Sequence, residues 1–172
     1  MRAEYAGGVM NAHQVLVELL STARYVLTSY IEDFTDEDLL ARSISDAHHA
    51  AWQLGHLISS EYRMIKAIKP EIPELLNSEF IQMHDKANAF TPGTQHFATK
   101  KEYLALLSVV RSTTREVLQS FSEQQLSEPG PEFMRSYAPT IGSVFTSIGS
   151  HELMHAGQLA VIRRKLGKPV VI

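Results

Sequence analysis

The sequence predicts an all-α protein, a four-helix bundle with a long crossover connection between its second and third helices. Three observations predict it. Apolar residues recur every three or four positions along four long stretches, no segment reads as a strand, and an irregular, proline-containing connection separates the second stretch from the third. With 172 residues, 44% of them hydrophobic, the chain suffices for one domain over residues 1–172 and is too short for two ordinary ones.

Residues 1–8 read as a lead-in. Met10, His13, Leu16, Leu20, Ala23, Leu27 and Ile31 then hold helical spacing as far as Phe34, which makes a long amphipathic first helix. His13 lies near its start and is expected at the end of the bundle, half in water. Thr35-Asp36-Glu37-Asp38 joins a capping residue to acidic first-turn residues, so one short turn is expected over Leu39 to Arg42. Ser45-Asp46 is expected to cap the second helix, which runs to Ile68 and is closed by Pro70. Its aliphatic residues Leu54, Leu57, Ile58, Ile65 and Ile68 share one arc, and His49, Trp52, His56, Ser60 and Arg63 share another. Periodicity alone therefore does not direct His56 into the core, although a helix buried on two sides would show both arcs.

The connection from Lys69 to Thr99 contains Pro70, Pro73, Pro92 and Gly93, with a short helix expected around Ser78 to Lys86. A connection of this length usually serves function, as a lid or a pocket wall. His84 and His96 read as exposed loop histidines. Thr99 caps the third helix, whose apolar face is Tyr103, Leu106, Leu107, Val110, Thr114, Val117 and Phe121, with no histidine or carboxylate directed inward. Glu128-Pro129-Gly130-Pro131 breaks the pattern, Thr140 opens the fourth helix, and Gly167 and Pro169 end it.

The fourth helix carries Ile141, Val144, Ile148, Leu159, Ile162 and Leu166 on one stripe, and His151 and His155 fall on it as well. Two imidazoles in a core bring four ring nitrogens that the helix backbone cannot satisfy. Four residues apart they lie one above the other, about 6 Å along the axis, so both can turn to one ion. The alternative is a pair of core histidines bonded to polar neighbours or bridging a water. His151-Glu152-Leu153-Met154-His155 also matches the zinc-peptidase pattern, but residues 156–172 contain no His, Asp or Glu to complete such a site. That disfavours a peptidase. Glu152, about 100° around the helix from His151, reads as solvated or as support for a ligand. Any third ligand must come from upstream: His13, His49, His56, or a carboxylate such as Glu61. His49 and His56 stand about 10.5 Å apart on their helix, so at most one of the His48-His49 pair and His56 belongs.

A net charge of -3 and the lack of a basic cluster interleaved with aromatics argue against nucleic acid. Arg163-Arg164-Lys165 reads as a basic last turn that complements the helix dipole. The absence of cysteine excludes disulfides, thiolate ligands and a cysteine nucleophile, and suits a reducing compartment. No signal-type apolar core and no apolar run of about 18 residues appears, so no membrane association and a cytoplasmic location are expected.

Ala51-Trp52-Gln53-Leu54-Gly55-His56-Leu57-Ile58-Ser59-Ser60-Glu61, followed by Gly149-Ser150-His151-Glu152-Leu153-Met154-His155-Ala156-Gly157-Gln158-Leu159-Ala160 and Arg163-Arg164-Lys165-Leu166-Gly167-Lys168-Pro169, resembles the DinB-like family of metal-dependent enzymes. The resemblance extends over nearly the whole chain in helix order and length. It implies a four-helix bundle in which His56 joins His151 and His155 around a divalent metal, zinc or nickel before iron, manganese or copper. It further implies a thiol-dependent S-transferase or a hydrolase acting on a small molecule, in a homodimer. Because the chain has no cysteine, any thiol must come from a low-molecular-weight cosubstrate. A non-catalytic, stress-related bundle that binds a metal or ligand is the alternative expectation.

Overall fold

The computed structural model describes residues 9–45, 47–88 and 97–171. Among them the α-helices are α1 (Ala12–Ile31), α2 (Ala50–Ile68), short α3 (Ser78–Met83), α4 (Lys100–Gln119), short α5 (Glu123–Leu126) and α6 (Ile141–Lys165). No strand occurs among the described residues, so the all-helical expectation holds. The ends of the long helices follow from local chemistry. Asn11, Thr99 and Thr140 each accept from the backbone N–H three residues on, and Gln14, Glu102 and Ser143 reach back to close capping boxes. Gly167 adopts φ 71° past the end of α6, a conformation that only glycine takes without steric penalty.

α2 starts later than the sequence led us to expect. Its cap is His49, whose Nδ1 accepts from the Trp52 backbone N–H at 3.1 Å, as a serine or aspartate oxygen would. Ser45 lies in a turn before it, and Asp46 lies outside the described residues. The short helix of the long connection ends at Met83, with a separate 3₁₀ turn over Lys86–Asn88.

Around the bundle the long helices follow the order α1, α6, α2, α4. Their directions can be read from the pairs that touch. Leu19 faces Gly149, Arg24 faces Glu152 and Tyr30 faces Arg163, so α1 and α6 run parallel. Lys100 meets Phe34, Arg24 meets Leu107 and His13 meets Phe121, so α1 and α4 are antiparallel. Gly55 and Tyr103 abut the same His84 ring, and Glu61 meets Arg111 and Thr114, so α2 and α4 are parallel neighbours, and a chain that joins parallel helices must travel back along the bundle. That requirement accounts for the length of the 69–99 connection.

α2 is enclosed on more than one side. Every residue from Ala50 to Tyr62 is buried, because α4 and α6 flank the helix while α3 and the 3₁₀ turn at Asp38–Leu40 cover it. Both arcs of the sequence pattern are thus inside as far as Tyr62, and Arg63 is exposed. Leu54, Ile58 and Ile65 join Leu20, Leu27, Leu107, Phe145 and Leu159 in the apolar core.

Four charges share that core. Arg111 on α4 donates to Glu61 on α2 through Nε (2.8 Å) and Nη2 (3.0 Å) and lies 2.8 Å from Glu152 on α6. Arg24 on α1 donates to Glu152 (2.8 Å) and to Glu61 (3.3 Å). Thr114 donates to Glu61 at 2.7 Å, and the backbone carbonyls of Leu20 and Leu107 accept the remaining arginine bonds at 2.6 Å. Arg163 is buried too. It donates to the Tyr30 and Pro169 carbonyls, each at 2.9 Å, and pairs with Asp33, so it pins the end of α6 to the end of α1 besides complementing the dipole. No helix of the described residues is long and apolar enough to cross a membrane.

Removing one partner from a buried charge cluster strands the opposite charge, an effect of about 3–5 kcal/mol. Arg111→Ala is expected to lower unfolding free energy by about that amount in urea titrations, against less than about 1 kcal/mol for the exposed Arg63→Ala, whose partner is Asp85.

Candidate metal centre

His151 and His155 project from α6 toward α2, where His56 meets them. One ring nitrogen of each lies within 4.8 Å of the others, and His151 Nε2 and His155 Nε2 are 3.2 Å apart. His56 and His155 are buried and His151 is half-buried. Two further contacts fix which nitrogens face inward. His56 Nδ1–H donates to the His84 carbonyl at 3.1 Å, and His155 Nδ1–H donates to Gln53 Oε1 at 3.0 Å. Gln53 is itself oriented, because its amide N–H donates to the His48 carbonyl at 3.0 Å. Both imidazoles are thereby held in the tautomer that presents an Nε2 lone pair to the shared centre.

Burial, followed by the neighbouring His151 and His56, depresses the His155 imidazolium to a pKa of about 3. Burial, then His56 and Lys86, holds His151 at about 4. Burial also lowers His56, opposed by its bond to the His84 carbonyl. All three are neutral at pH 7, which is the form that ligates a metal. Inward-facing lone pairs on His56 and His155, with the neutral His151 imidazole beside them and no carboxylate among the three, suit a divalent cation. The cluster could hold one.

The other candidates go elsewhere. His13 bonds the Phe121 carbonyl at 2.8 Å at the far end of the bundle, His49 caps α2, and His48 packs at a tilt against Trp52 with centroids 3.9 Å apart. Glu61 belongs to the arginine cluster. Glu152 is not solvated, as one reading of the sequence had it. It is 1% exposed and turned toward Arg24 and Arg111, away from the histidines. Its burial raises the carboxyl above the ordinary carboxylate range, while the two arginines pull it down and Glu61 raises it again.

His84 also departs from expectation. It is fully buried, because Gly55 leaves a gap in the wall of α2 that the imidazole fills. A Cβ at position 55 would lie 2.1 Å from that ring. His84 Nδ1–H donates to the Phe80 carbonyl at 2.8 Å, and Nε2 accepts from the Tyr103 hydroxyl at 3.0 Å. The anchored side chain sets the backbone carbonyl that holds His56. An isolated glycine inside a helical pattern one residue before His56 was the available signal. His96 lies outside the described residues.

His56 and His151 edge a solvent-open cavity of about 1010 Å³. Ser60, Arg63 and Met64 line it from α2, and Ser147, Ser150 and Met154 from α6. Asp85 and Lys86 come from the long connection, and Phe133 and Tyr137 from the segment before α6.

A family model described as the DinB superfamily matches residues 19–159, a span that includes all three histidines. The chain belongs to the DinB superfamily. A crystal structure described as the conserved protein of a locus from Enterococcus faecalis shares the fold, with a TM-score of 0.71 at 19% identity over 93% of this chain and 100% of that one. Comparison with curated proteins finds no match. In this DinB-superfamily bundle, α2 and α6 supply the cluster, and the crossover supports it from outside through His84.

Two outcomes test this construction. Gly55→Ala gains up to about 1 kcal/mol in helix propensity but forces the buried His84 ring aside, and overpacking of that kind costs about 1–3 kcal/mol. Chemical denaturation is expected to show net destabilisation. Acidification is the second test. His49 and His84 are also held at about 4, in both cases chiefly by burial, so these imidazoles and the α6 pair bind protons far more readily unfolded, near pH 6.5. Stability therefore rises with pH across this window, is fully present above about 6.5, and is lost as pH falls toward about 4. Urea midpoints of metal-free protein at pH 7.5, 6 and 5 are expected to fall in that order.

Proposed function

We propose that this chain is a metal-dependent enzyme that binds a divalent cation through His56, His151 and His155 and acts on a small molecule in the adjoining cavity. The observation that carries the reading is the pair of fixed tautomers: the Nδ1–H groups of His56 and His155 are committed to outer acceptors, leaving Nε2 lone pairs to converge beside a cavity. Zinc or nickel suits such imidazole donors first, with iron, manganese and copper after them. An ion held by neutral ligands keeps its charge and supplies Lewis acidity, lowering the pKa of a bound thiol or water.

S-transfer from a low-molecular-weight thiol is the proposed reaction, with hydrolysis second. Cysteine is absent, so the thiol arrives as a cosubstrate. Activating a water commonly employs a free carboxylate base, and among the described residues lining the cavity the single carboxylate is Asp85, which is paired with Arg63 at 3.2 Å. Glu152 is committed to Arg24 and Arg111. A metal-lowered pKa dispenses with such a base for a bound thiol and a bound water alike, so the preference for transfer follows the resemblance to the DinB-like family.

Elemental analysis of protein purified without tag or chelator is expected to find one equivalent of metal. His56→Ala and His155→Ala are expected to bind it at least about 100-fold more weakly, since removal of a supporting partner alone has an effect of 10–100-fold. Wild type that stays metal-free after reconstitution, or His56→Ala that binds as tightly, refutes the site. Metal-loaded protein is then screened with an electrophilic reporter and small thiols. Turnover without thiol points to hydrolysis, and binding without turnover to a non-catalytic bundle.

A further inference from the structure

We infer that the small molecule taken by this cavity is an anion, with a carboxylate or similar group seated against Lys86 while its reacting atom faces His56 and His151. The inference rests on the reading of the cavity as the substrate site of a metal enzyme, and it assigns that substrate its charge.

The charges lining the cavity carry the inference. Arg63 and Asp85 pair with each other at 3.2 Å and cancel. Lys86 lines the same cavity from the 3₁₀ turn that follows His84, and among the described residues it has no carboxylate partner. It shares that cavity with His56 and His151. Imidazole ligands bring no charge of their own to a metal, so a divalent ion would add two positive charges to that of Lys86, with no unpaired carboxylate among the described residues lining the cavity to balance them. An incoming anion neutralises part of that excess, whereas a cation adds to it.

The neutral lining fits the same occupant. Ser60, Ser147 and Ser150 offer hydroxyl donors, and Met64 and Met154 offer soft apolar surface suited to a short carbon chain or a sulfur atom. Lysine is a compact charge on a flexible four-carbon stem and can follow a carboxylate without the fixed geometry an arginine imposes. At about 1010 Å³ the cavity exceeds what a single small thiol fills, which leaves room for its electrophile.

The test uses the full chain loaded with cobalt(II) and three thiols of similar size: 3-mercaptopropionate, 2-mercaptoethanol and cysteamine, which are anionic, neutral and cationic at the far end. Binding is read from the thiolate-to-cobalt absorption band. A second readout is the emission of Trp52, the single tryptophan, whose ring stacks on His56 with centroids 4.7 Å apart and planes 8° apart. Mercaptopropionate is expected to bind about 5- to 10-fold more tightly than mercaptoethanol, and cysteamine more weakly than either. Lys86→Gln is expected to bring the first two within about 2-fold of each other, and Lys86→Glu to reverse the order. If mercaptopropionate shows no advantage, or keeps it in Lys86→Gln because its carboxylate chelates the cobalt directly, the inference is overturned. Failure to take up cobalt overturns the metal reading itself, and this inference with it, whereas uptake without charge discrimination overturns this inference alone.

Discussion

The constraint on which the bundle depends is the neutral box of two arginines and two glutamates at its centre. Arg24, Glu61, Arg111 and Glu152 come one from each long helix, and each arginine contacts both carboxylates. In energetic terms such a cluster is not the cheapest filling for a core, because desolvation consumes much of the Coulombic gain and well-packed apolar residues often do as well. Its other property is directional. Leucine contacts tolerate a helix rotated by tens of degrees or slid by part of a turn, while charge-assisted bonds of 2.8 Å do not. Once Glu61 points to Arg111, α2 has a set rotation. His56, five residues earlier and so about 140° away around the helix, is thereby directed to α6. Glu152 does the same for the helix that carries His151 and His155.

Topology supplies the second support. Parallel α2 and α4 oblige the chain to return along the bundle, and the segment that does so is placed over α2 at the level of the histidines. Gly55 admits His84, and the His84 carbonyl accepts the Nδ1–H of His56. A stretch required by connectivity thus also sets the tautomer of a candidate ligand. Gln53 does the corresponding work for His155 from within α2.

These dependences explain what was legible in the chain. The caps Thr99 and Thr140, the long helices and the shared face of His151 and His155 depend on neighbours within a turn or two, and sequence displays those directly. His56 did not follow from periodicity, because α2 is buried on both arcs, and its selection came from family resemblance. The buried charges were legible only in part. Arg24 continues the spacing of Leu20 and Leu27, Glu61 that of Leu57 and Ile65, Arg111 that of Leu107 and Thr114, and Glu152 that of Ile148 and Leu159. Two bases and two acids on four apolar stripes can be seen to balance, yet their pairing spans up to 128 residues and appears only in the fold. Glu152 carried a competing signal, since its place about 100° around the helix from His151 reads as solvated or as support for a ligand, and its burial excludes the first. His84 was misread because loop residues are ordinarily exposed, and the gap that buries it lies in another element.

The N-terminal half of α6 shows how one helix can close a core and open a cavity. Val144, Phe145 and Ile148 are fully or almost fully buried against the bundle, whereas Ser143, Ser147 and Ser150 line the space beside α2. Larger side chains at those serines would fill that space and add buried apolar area, at about 25 cal/mol per Å². Small hydroxyl residues forgo that stabilisation and leave the histidine cluster accessible from one side. His155 lies behind this opening, since it does not line the cavity, while His56 and His151 form its edge. An ion centred among the three would be anchored from the core by His155 and approached between His56 and His151. Access is therefore set by residue size along α6, and the rigidity of the imidazoles by the arginine box, Gln53 and His84.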